Sequence, residues 1–354
     1  MKQHRTACLV TGCAGFIGSH LVGRLLAAGC AVIGADNLAT GRRGNMAAFA
    51  DHPDFTFWAR DVCAPGLVGD ARSARPDLGC VFHLAAVASV PFSLAHRQKT
   101  MAVNLGATLT LHEDAWRAGL PGFVFAGSAA EYGEAAATPL AEATASLRTV
   151  HLSPYGRAKF LASARIAQSG YGASLRCFNV YGPRQAASSP YSGVISRFVE
   201  AGVSRRRLTV FGDGGQTRDF VAVDDVVEGY LLAAGLAGPL GRPLAGIYNV
   251  GTGRATSLLE LTGILGTLLE QEQEIVFLPP KKGDIRRSVA DISKFAAAGF
   301  QPRLTLRAGL ARLVAWWRTR ENPAYGDSGT PPQSTTPPGN IVARTGTHLA
   351  ALNI

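Results

Sequence analysis

The chain of 354 residues has no stretch approaching the roughly 18 uninterrupted apolar residues of a membrane span, which excludes a helical membrane protein. Its start, Met1-Lys2-Gln3-His4-Arg5, runs straight into a short apolar segment, without the long apolar region and cleavage site of a secretory leader. No two of the six cysteines (8, 13, 30, 63, 80 and 177) form a Cys-x-x-Cys pair, and no cluster of side chains has metal-ligand spacing. Neither a disulfide framework nor a zinc site is expected. The thiols are read as reduced and buried, as in a cytoplasmic protein. Internal repeats are absent too. Charge is sparse at 17%, and the excess of 35 − 25 = +10 is spread along the chain. The one tight basic run, Arg205-Arg206-Arg207, is read as a solvated helix end, so nucleic acid is not an expected partner. A modest cationic excess suits a protein that attracts phosphorylated small molecules.

What is present is a soluble, core-forming composition, 47% apolar and 8% aromatic. Apolar runs at 7–10, 31–35, 55–59, 80–84, 122–126 and 173–177 read as strands. Helix-like segments separate them: Ile17, Leu21, Val22 and Leu25 at helical spacing ending at Gly29, then 105–118 and 155–168. Alternation of this kind, with near-continuous apolar strands, predicts an α/β fold with a doubly wound parallel sheet covered on both faces. After about residue 180 the alternation loosens. Helices are expected at 194–201, 224–235, 257–270 and 307–318, with short strands at 208–211, 247–250 and 275–278. The expected organisation is a 1–180 nucleotide-binding domain and an interleaved 181–320 lobe over the carboxyl ends of the sheet. Residues 321–354, rich in Ser, Thr, Pro and Gly, are expected to form a disordered tail.

Gly12, Gly15 and Gly18 lie between the first strand and the first helix. Glycines there permit a tight turn, close approach of backbone to a pyrophosphate, and close helix–strand packing, with the helix N-terminus facing the phosphate charge. Asp36, at the end of the second strand, can accept the hydroxyls of an adenine ribose and repel a 2′-phosphate, which favours NAD over NADP. Arg42 and Arg43 follow and could soften that preference, and Asp61-Val62 is placed to meet the adenine.

Tyr155 and Lys159 stand one helical turn apart, with Ser128 twenty-seven residues before Tyr155. A phenol with a pKa of about 10 is a poor base at neutral pH. The lysine charge is expected to lower it, and Ser128 to share the hydrogen bond to a substrate hydroxyl. The set reads as general acid–base catalysis beside a hydride acceptor.

On these residues the chain resembles the extended short-chain dehydrogenase/reductases, in the branch of NAD-dependent nucleotide-sugar epimerases and dehydratases. The likeness extends to His83-Leu84-Ala85-Ala86, Asn104, Leu175-Arg176-Cys177-Phe178-Asn179-Val180-Tyr181-Gly182-Pro183-Arg184-Gln185, Arg218-Asp219-Phe220, Tyr248-Asn249-Val250-Gly251 and Gly283-Asp284-Ile285-Arg286. It implies a Rossmann-type domain with a smaller C-terminal α/β substrate lobe. It also implies that Phe16, Ile17, Asn37, Leu84, Ala85, Ala86 and Asn104 join the cofactor site, while Asn179 and Arg218 contact the diphosphate of a nucleotide sugar. His83 is read as structural. Lys281 stands where such proteins often carry a phosphate-binding arginine, with the charge but not the fork.

Family dehydratases and decarboxylases carry an acid one or two places after the catalytic serine; here those places hold Ala129 and Ala130. Glu131 is expected on an extended segment, facing away. The resemblance therefore favours transient oxidation and re-reduction, with C4 epimerisation the simplest such cycle. Ser288, a small residue beside the expected sugar position, leaves room for an N-acetyl group, as does the likeness of Pro190-Tyr191-Ser192-Gly193-Val194-Ile195 to epimerases of UDP-N-acetylhexosamines. A nucleotide-sugar reductase or dehydrogenase is the alternative within the same fold, and a non-catalytic NAD-binding protein the alternative outside it. By resemblance helices 105–118 and 155–168 would pair into a homodimer.

Overall fold

The computed structural model describes residues 6–134, 138–185, 193–280 and 284–321. Seven strands form its central sheet: β1 (Ala7–Thr11), β2 (Val32–Asp36), β3 (Phe55–Ala59), β4 (Leu78–His83), β5 (Gly122–Ser128), β6 (Ala173–Cys177) and, far later in the chain, β11 (Gly246–Val250). All run parallel in the order β11-β6-β5-β4-β1-β2-β3. The order reverses at β1, which pairs with β2 on one side and β4 on the other, and this opens a crevice at the carboxyl ends.

Alternate side chains of these strands feed two cores. Cys8, Val10, Val32, Phe82, Val124 and Leu175 face α1 (Phe16–Ala27), α8 (Val223–Ala233) and α10 (Ser293–Ala297). Leu9, Ile33, Val81, Phe123 and Phe125 face α2 (Leu67–Ala74), α5 (Thr108–Arg117) and α6 (Pro154–Gln168). Burial on both faces is why most of these strands read as unbroken apolar runs. The first helix closes as its glycine predicts: Gly29, at φ 81°, lets Cys30 N–H reach the Leu25 carbonyl at 3.0 Å. Two short helices, α3 (Val90–Ala95) and α4 (Arg97–Met101), precede α5, and a π-helical turn, Ala102–Ala107, joins α4 to it.

A third core lies outside the sheet. It is built by α7 (Val194–Val203), α9 (Leu258–Leu269) and α11 (Leu306–Glu321) around β8 (Leu208–Phe211), which pairs with β13 (Ile275–Leu278). Between the cores run five short strands: β7 (Asn179–Tyr181) beside β10 (Phe220–Ala222), and β9 (Thr217–Arg218) between β12 (Thr256–Ser257) and β14 (Arg287–Ser288).

Two segments read from sequence as parts of the smaller lobe sit elsewhere. The 247–250 strand is the outer edge of the main sheet, and the 224–235 helix packs on α1 within its core. Exposure corrects a second expectation: the cysteines are free, but Cys63 is exposed and Cys177 half-buried. The basic run ends α7 as expected, with Arg206 paired to Glu200 and Arg207 to Glu274. Among the described residues no helix is long and apolar enough to cross a membrane. Lys281, Pro190, Tyr191 and Ser192 lie outside the described residues, as does all of the expected 321–354 tail except Glu321.

Candidate active site

The glycine loop is packed too closely for side chains. A Cβ on Gly18 would stand 2.1 Å from the Gly12 carbonyl oxygen, and one on Gly12, at φ 74°, would stand 2.7 Å from Ala85 N. Gly15 caps α1 with extended backbone; no side chain caps this helix, and its first turn holds no acid. The leading N–H groups are thus left to face an anion. Asp36 is 8% exposed, with one carboxylate oxygen accepting from Ala14 N–H at 3.0 Å and the other from Leu38 N–H at 2.8 Å. Burial raises its pKa, against the lowering effect of those two bonds. Asn37 donates to Asp61 at 2.7 Å, and the other Asp61 oxygen caps Cys63 N–H at 2.8 Å. Arg43 lies over the Phe57 ring, 5.4 Å from its centroid. The carboxylate, the free helix end and the bare loop fit a dinucleotide.

The 84–87 loop after β4 forms the opposite wall, held by a chain of neutral hydrogen bonds. Ala85 N–H donates to Thr11 Oγ1 at 3.3 Å; Thr11 Oγ1 lies 2.7 Å from His83 Nδ1; His83 Nε2 lies 2.9 Å from Thr108 Oγ1; and Thr108 donates to the Asn104 carbonyl at 2.9 Å. Because Thr108 spends its proton on Asn104, it accepts from Nε2–H, and Nδ1 accepts from Thr11. Burial, with a smaller contribution from the Lys159 charge, pushes His83 down to about 3, so it stays neutral, as its structural reading requires. Asn104 spends both ends of its amide on Val87, accepting at 2.8 Å and donating at 3.0 Å. It therefore braces this wall of the expected cofactor site.

The chemical residues come from β5 and α6. Ser128 ends β5 in extended backbone and caps a 3-10 turn, Ala129–Tyr132, accepting from Ala130 N–H at 3.1 Å. Ser153 caps α6, accepting from Gly156 N–H at 3.1 Å, which sets Tyr155 and Lys159 on the face against β5. Lys159 Nζ donates to the Ala126 carbonyl at 2.8 Å and lies 4.4 Å from the Phe125 ring centroid. Burial pulls Lys159 down to about 8, and pushes Tyr155 up to about 12, against the lowering effect of its hydrogen bond with Ser128. Burial thus outweighs any lowering of the phenol, to which Ser128 contributes, while the Lys159 ammonium is engaged by Ala126 and Phe125.

Glu131 departs from expectation as well. Its segment is a turn, not extended, so the carboxylate folds beneath Ser128 and is completely buried. It accepts from Ser128 N–H at 2.9 Å, from Ser163 Oγ at 2.9 Å and from Arg176 Nε at 2.6 Å. A carboxylate three residues after a serine is a capping-box signal that the sequence carries in plain view.

The expected substrate residues share one corner. Asn179 N–H donates to the Asp219 carbonyl at 3.0 Å, Arg218 is the neighbour of Asp219, and Ser288 stands opposite Arg218 in register. Arg218 donates to Asp284 at 2.5 Å, a partner that sequence reasoning missed although Gly283-Asp284 was in view. Asp219 was missed too. Its carboxylate takes Thr252 N–H at 2.8 Å, Thr252 Oγ1 at 2.6 Å, Gly253 N–H at 2.9 Å and Ala290 N–H at 3.2 Å, which locks the loop beside β14.

The chain is 37% identical over 319 residues to a UDP-glucose 4-epimerase of Mycolicibacterium smegmatis, covering 88% of this chain and 98% of that protein. It is 32% identical over 337 residues to UDP-glucuronic acid decarboxylase 2 of Arabidopsis thaliana, covering 92% and 71%. The structure of a UDP-N-acetylglucosamine 4-epimerase from Methanobrevibacter ruminantium, in complex with UDP-N-acetylmuramic acid, superposes with a TM-score of 0.81 at 31% identity, covering 90% and 99%. The model of the NAD dependent epimerase/dehydratase family matches residues 8–251. The chain therefore belongs to that family, and is an enzyme whose cofactor is NAD.

Proposed function

We propose that this enzyme is a nucleotide-sugar 4-epimerase, acting on UDP-GlcNAc and UDP-GalNAc, with UDP-Glc and UDP-Gal as further substrates. One observation carries the reading: the Ser128 side chain acts on the Tyr155 phenol, lowering its pKa, and the two positions after Ser128 are alanines. Alanine cannot move a proton at a neighbouring carbon, which disfavours water elimination and decarboxylation. NAD, when bound, supplies reversible hydride transfer at C4. Ser128 orients the 4-hydroxyl and Tyr155 takes its proton as general base. Arg218 and Asn179 hold the diphosphate while the 4-keto sugar turns over, so that hydride would return to the opposite face of C4 while Tyr155 returns the proton to its oxygen. Gly12, Gly15, Phe16, Ile17 and Gly18 take the pyrophosphate, Asp36 the adenosine ribose, and Asn37, Asp61 and Val62 the adenine side. Leu84, Ala85 and Ala86 form the facing wall.

Two features support the N-acetylated substrates: the small side chain of Ser288 opposite Arg218, and the likeness to a UDP-N-acetylglucosamine 4-epimerase. Free cysteines agree with work in the cytoplasm. A homodimer through α5 and α6 completes the reading; Trp116 on α5 is 61% exposed, available to such a contact. The deciding experiment incubates the protein with UDP-, TDP- and GDP-sugars and resolves the products. Interconversion of C4 epimers without net NAD turnover is expected. Loss of an oxygen or of carbon dioxide from the sugar would replace this reading with a dehydratase or decarboxylase, and cofactor consumption matched to product with a reductase or dehydrogenase.

A further inference from the structure

Beneath the site lies a fully buried ion pair that the reaction above does not use. Glu131 and Arg176 both have 0% side-chain exposure and meet at 2.6 Å. One Glu131 oxygen accepts from Ser128 N–H and from Ser163 Oγ, each at 2.9 Å, and the other takes Arg176 Nε. Arg176 also donates through Nη1 to the Glu142 carbonyl at 2.8 Å and lies 4.8 Å from the Tyr132 ring centroid, while its Nη2 is buried without a partner. Room for the carboxylate comes from Gly127, where a Cβ would stand 2.9 Å from Glu131 Oε1.

We propose that Glu131, clamped by Arg176, is a positioning residue: it fixes Ser128 through its backbone N–H and presents a fixed negative charge to Tyr155 and Lys159. A buried charge acts on its neighbours with little solvent screening. Glu131 raises the proton affinity of both Tyr155 and Lys159. It thereby helps hold the ammonium charged against burial, and with both effects present Lys159 sits at about 8. The other groups facing this cluster are Arg176 and Cys177 from β6, His151 ahead of α6, Tyr132 and Glu142 from the adjoining turns, His83 from β4 and Tyr230 from α8. The inference deepens the epimerase reading and rests on it for the reaction, but not for the titration.

The test compares Glu131→Gln, which keeps an acceptor for Ser128 N–H and loses the charge, with Glu131→Asp, which keeps the charge and shortens the reach. In each background the tyrosinate absorbance of the NAD-bound enzyme, minus that of the same protein carrying Tyr155→Phe, reports Tyr155 alone. Glu131→Gln is expected to shift that titration to lower pH by roughly one unit, and to move both limbs of the kcat–pH profile the same way. Glu131→Asp is expected to leave the titration near its original position while kcat falls about tenfold, from the displaced serine. A Tyr155 titration unmoved by Glu131→Gln, in protein that still binds NAD, would overturn the proposal. Should Glu131→Gln not fold, undiminished kcat in Glu131→Asp would overturn it. A wild type that titrates as expected but turns over no nucleotide sugar would instead remove the epimerase reading.

Discussion

Lys159 donates its ammonium proton to the Ala126 carbonyl at 2.8 Å, tying α6 to β5 across the floor of the site. That bond fixes the helix so that Tyr155, one turn earlier, meets Ser128, two residues beyond Ala126. The catalytic geometry is thus set by a backbone contact of the lysine, in addition to its charge. Replacing Tyr155 with Phe should leave this scaffold intact. NAD affinity is expected to stay within about twofold, while kcat drops roughly 10²–10⁴-fold, the scale of a lost general acid–base group. Single-turnover kinetics on the NAD-loaded variant would check this, and near-normal turnover would remove Tyr155 from the mechanism.

Gly18→Ala places a methyl group against the Gly12 carbonyl, where the available distance is 2.1 Å. Backbone cannot yield there without opening the loop. NAD binding should weaken at least tenfold, in step with a stability loss of roughly 1–3 kcal/mol. Calorimetric titration and thermal unfolding measure the two effects, and unchanged affinity would contradict the assignment of this loop to the pyrophosphate.

Asp36 has a double use: it braces the Ala14 and Leu38 amides and, in the proposed role, receives the ribose hydroxyls. Asp36→Ser is expected to cost NAD about 10- to 100-fold in affinity, as for lost charge-assisted hydrogen bonds. NADP should lose less, because the repelling carboxylate is gone. Equal losses for the two cofactors would assign Asp36 to loop bracing alone.

His83 gives a pH signature. Its pKa falls from an ordinary value of about 6.5 to about 3 in the folded chain, through burial. Between those values the unfolded chain binds the additional proton, so stability is lost as pH falls from about 6.5 toward 3. His83→Gln should be less stable at neutral pH, for want of well-matched threonine partners, yet show a flatter acid limb in denaturant titrations. An acid limb identical to the wild type would place the titrating group elsewhere.

Ser288→Tyr tests the sugar corner. A phenol opposite Arg218 should narrow the site and weaken UDP-GalNAc at least tenfold more than UDP-Gal. Steady-state kcat/KM for the two substrates decides, and parallel losses would place Ser288 away from the acyl group.

The layout of the sheet was legible in the sequence because each central strand is buried on both faces and flanked by turn-forming glycines. The glycine loop and the Tyr155/Lys159 pair were legible for a similar reason, since each occupies a short segment of fixed spacing. What could not be read was anything set by distant segments meeting. The turn at Ala129–Tyr132 was read as extended because alternation was counted and the Ser128–Glu131 capping pair was not. The bracing of the 84–87 loop by Asn104, through both ends of its amide to Val87, has no local signature either. The pairing of Arg218 with Asp284, 66 positions apart, has no signature along the chain.

The outer edge of the sheet has a consequence for biosynthesis. β6 hydrogen-bonds to β11, which leaves the ribosome only after all of α7 and α8. Until then the amide edge of Ala173–Cys177 is a bare template on which a second nascent chain could dock. Translation past Val250 is thus what allows this edge to be covered, and a gene cut near residue 180 would yield halves that each carry an unpaired strand.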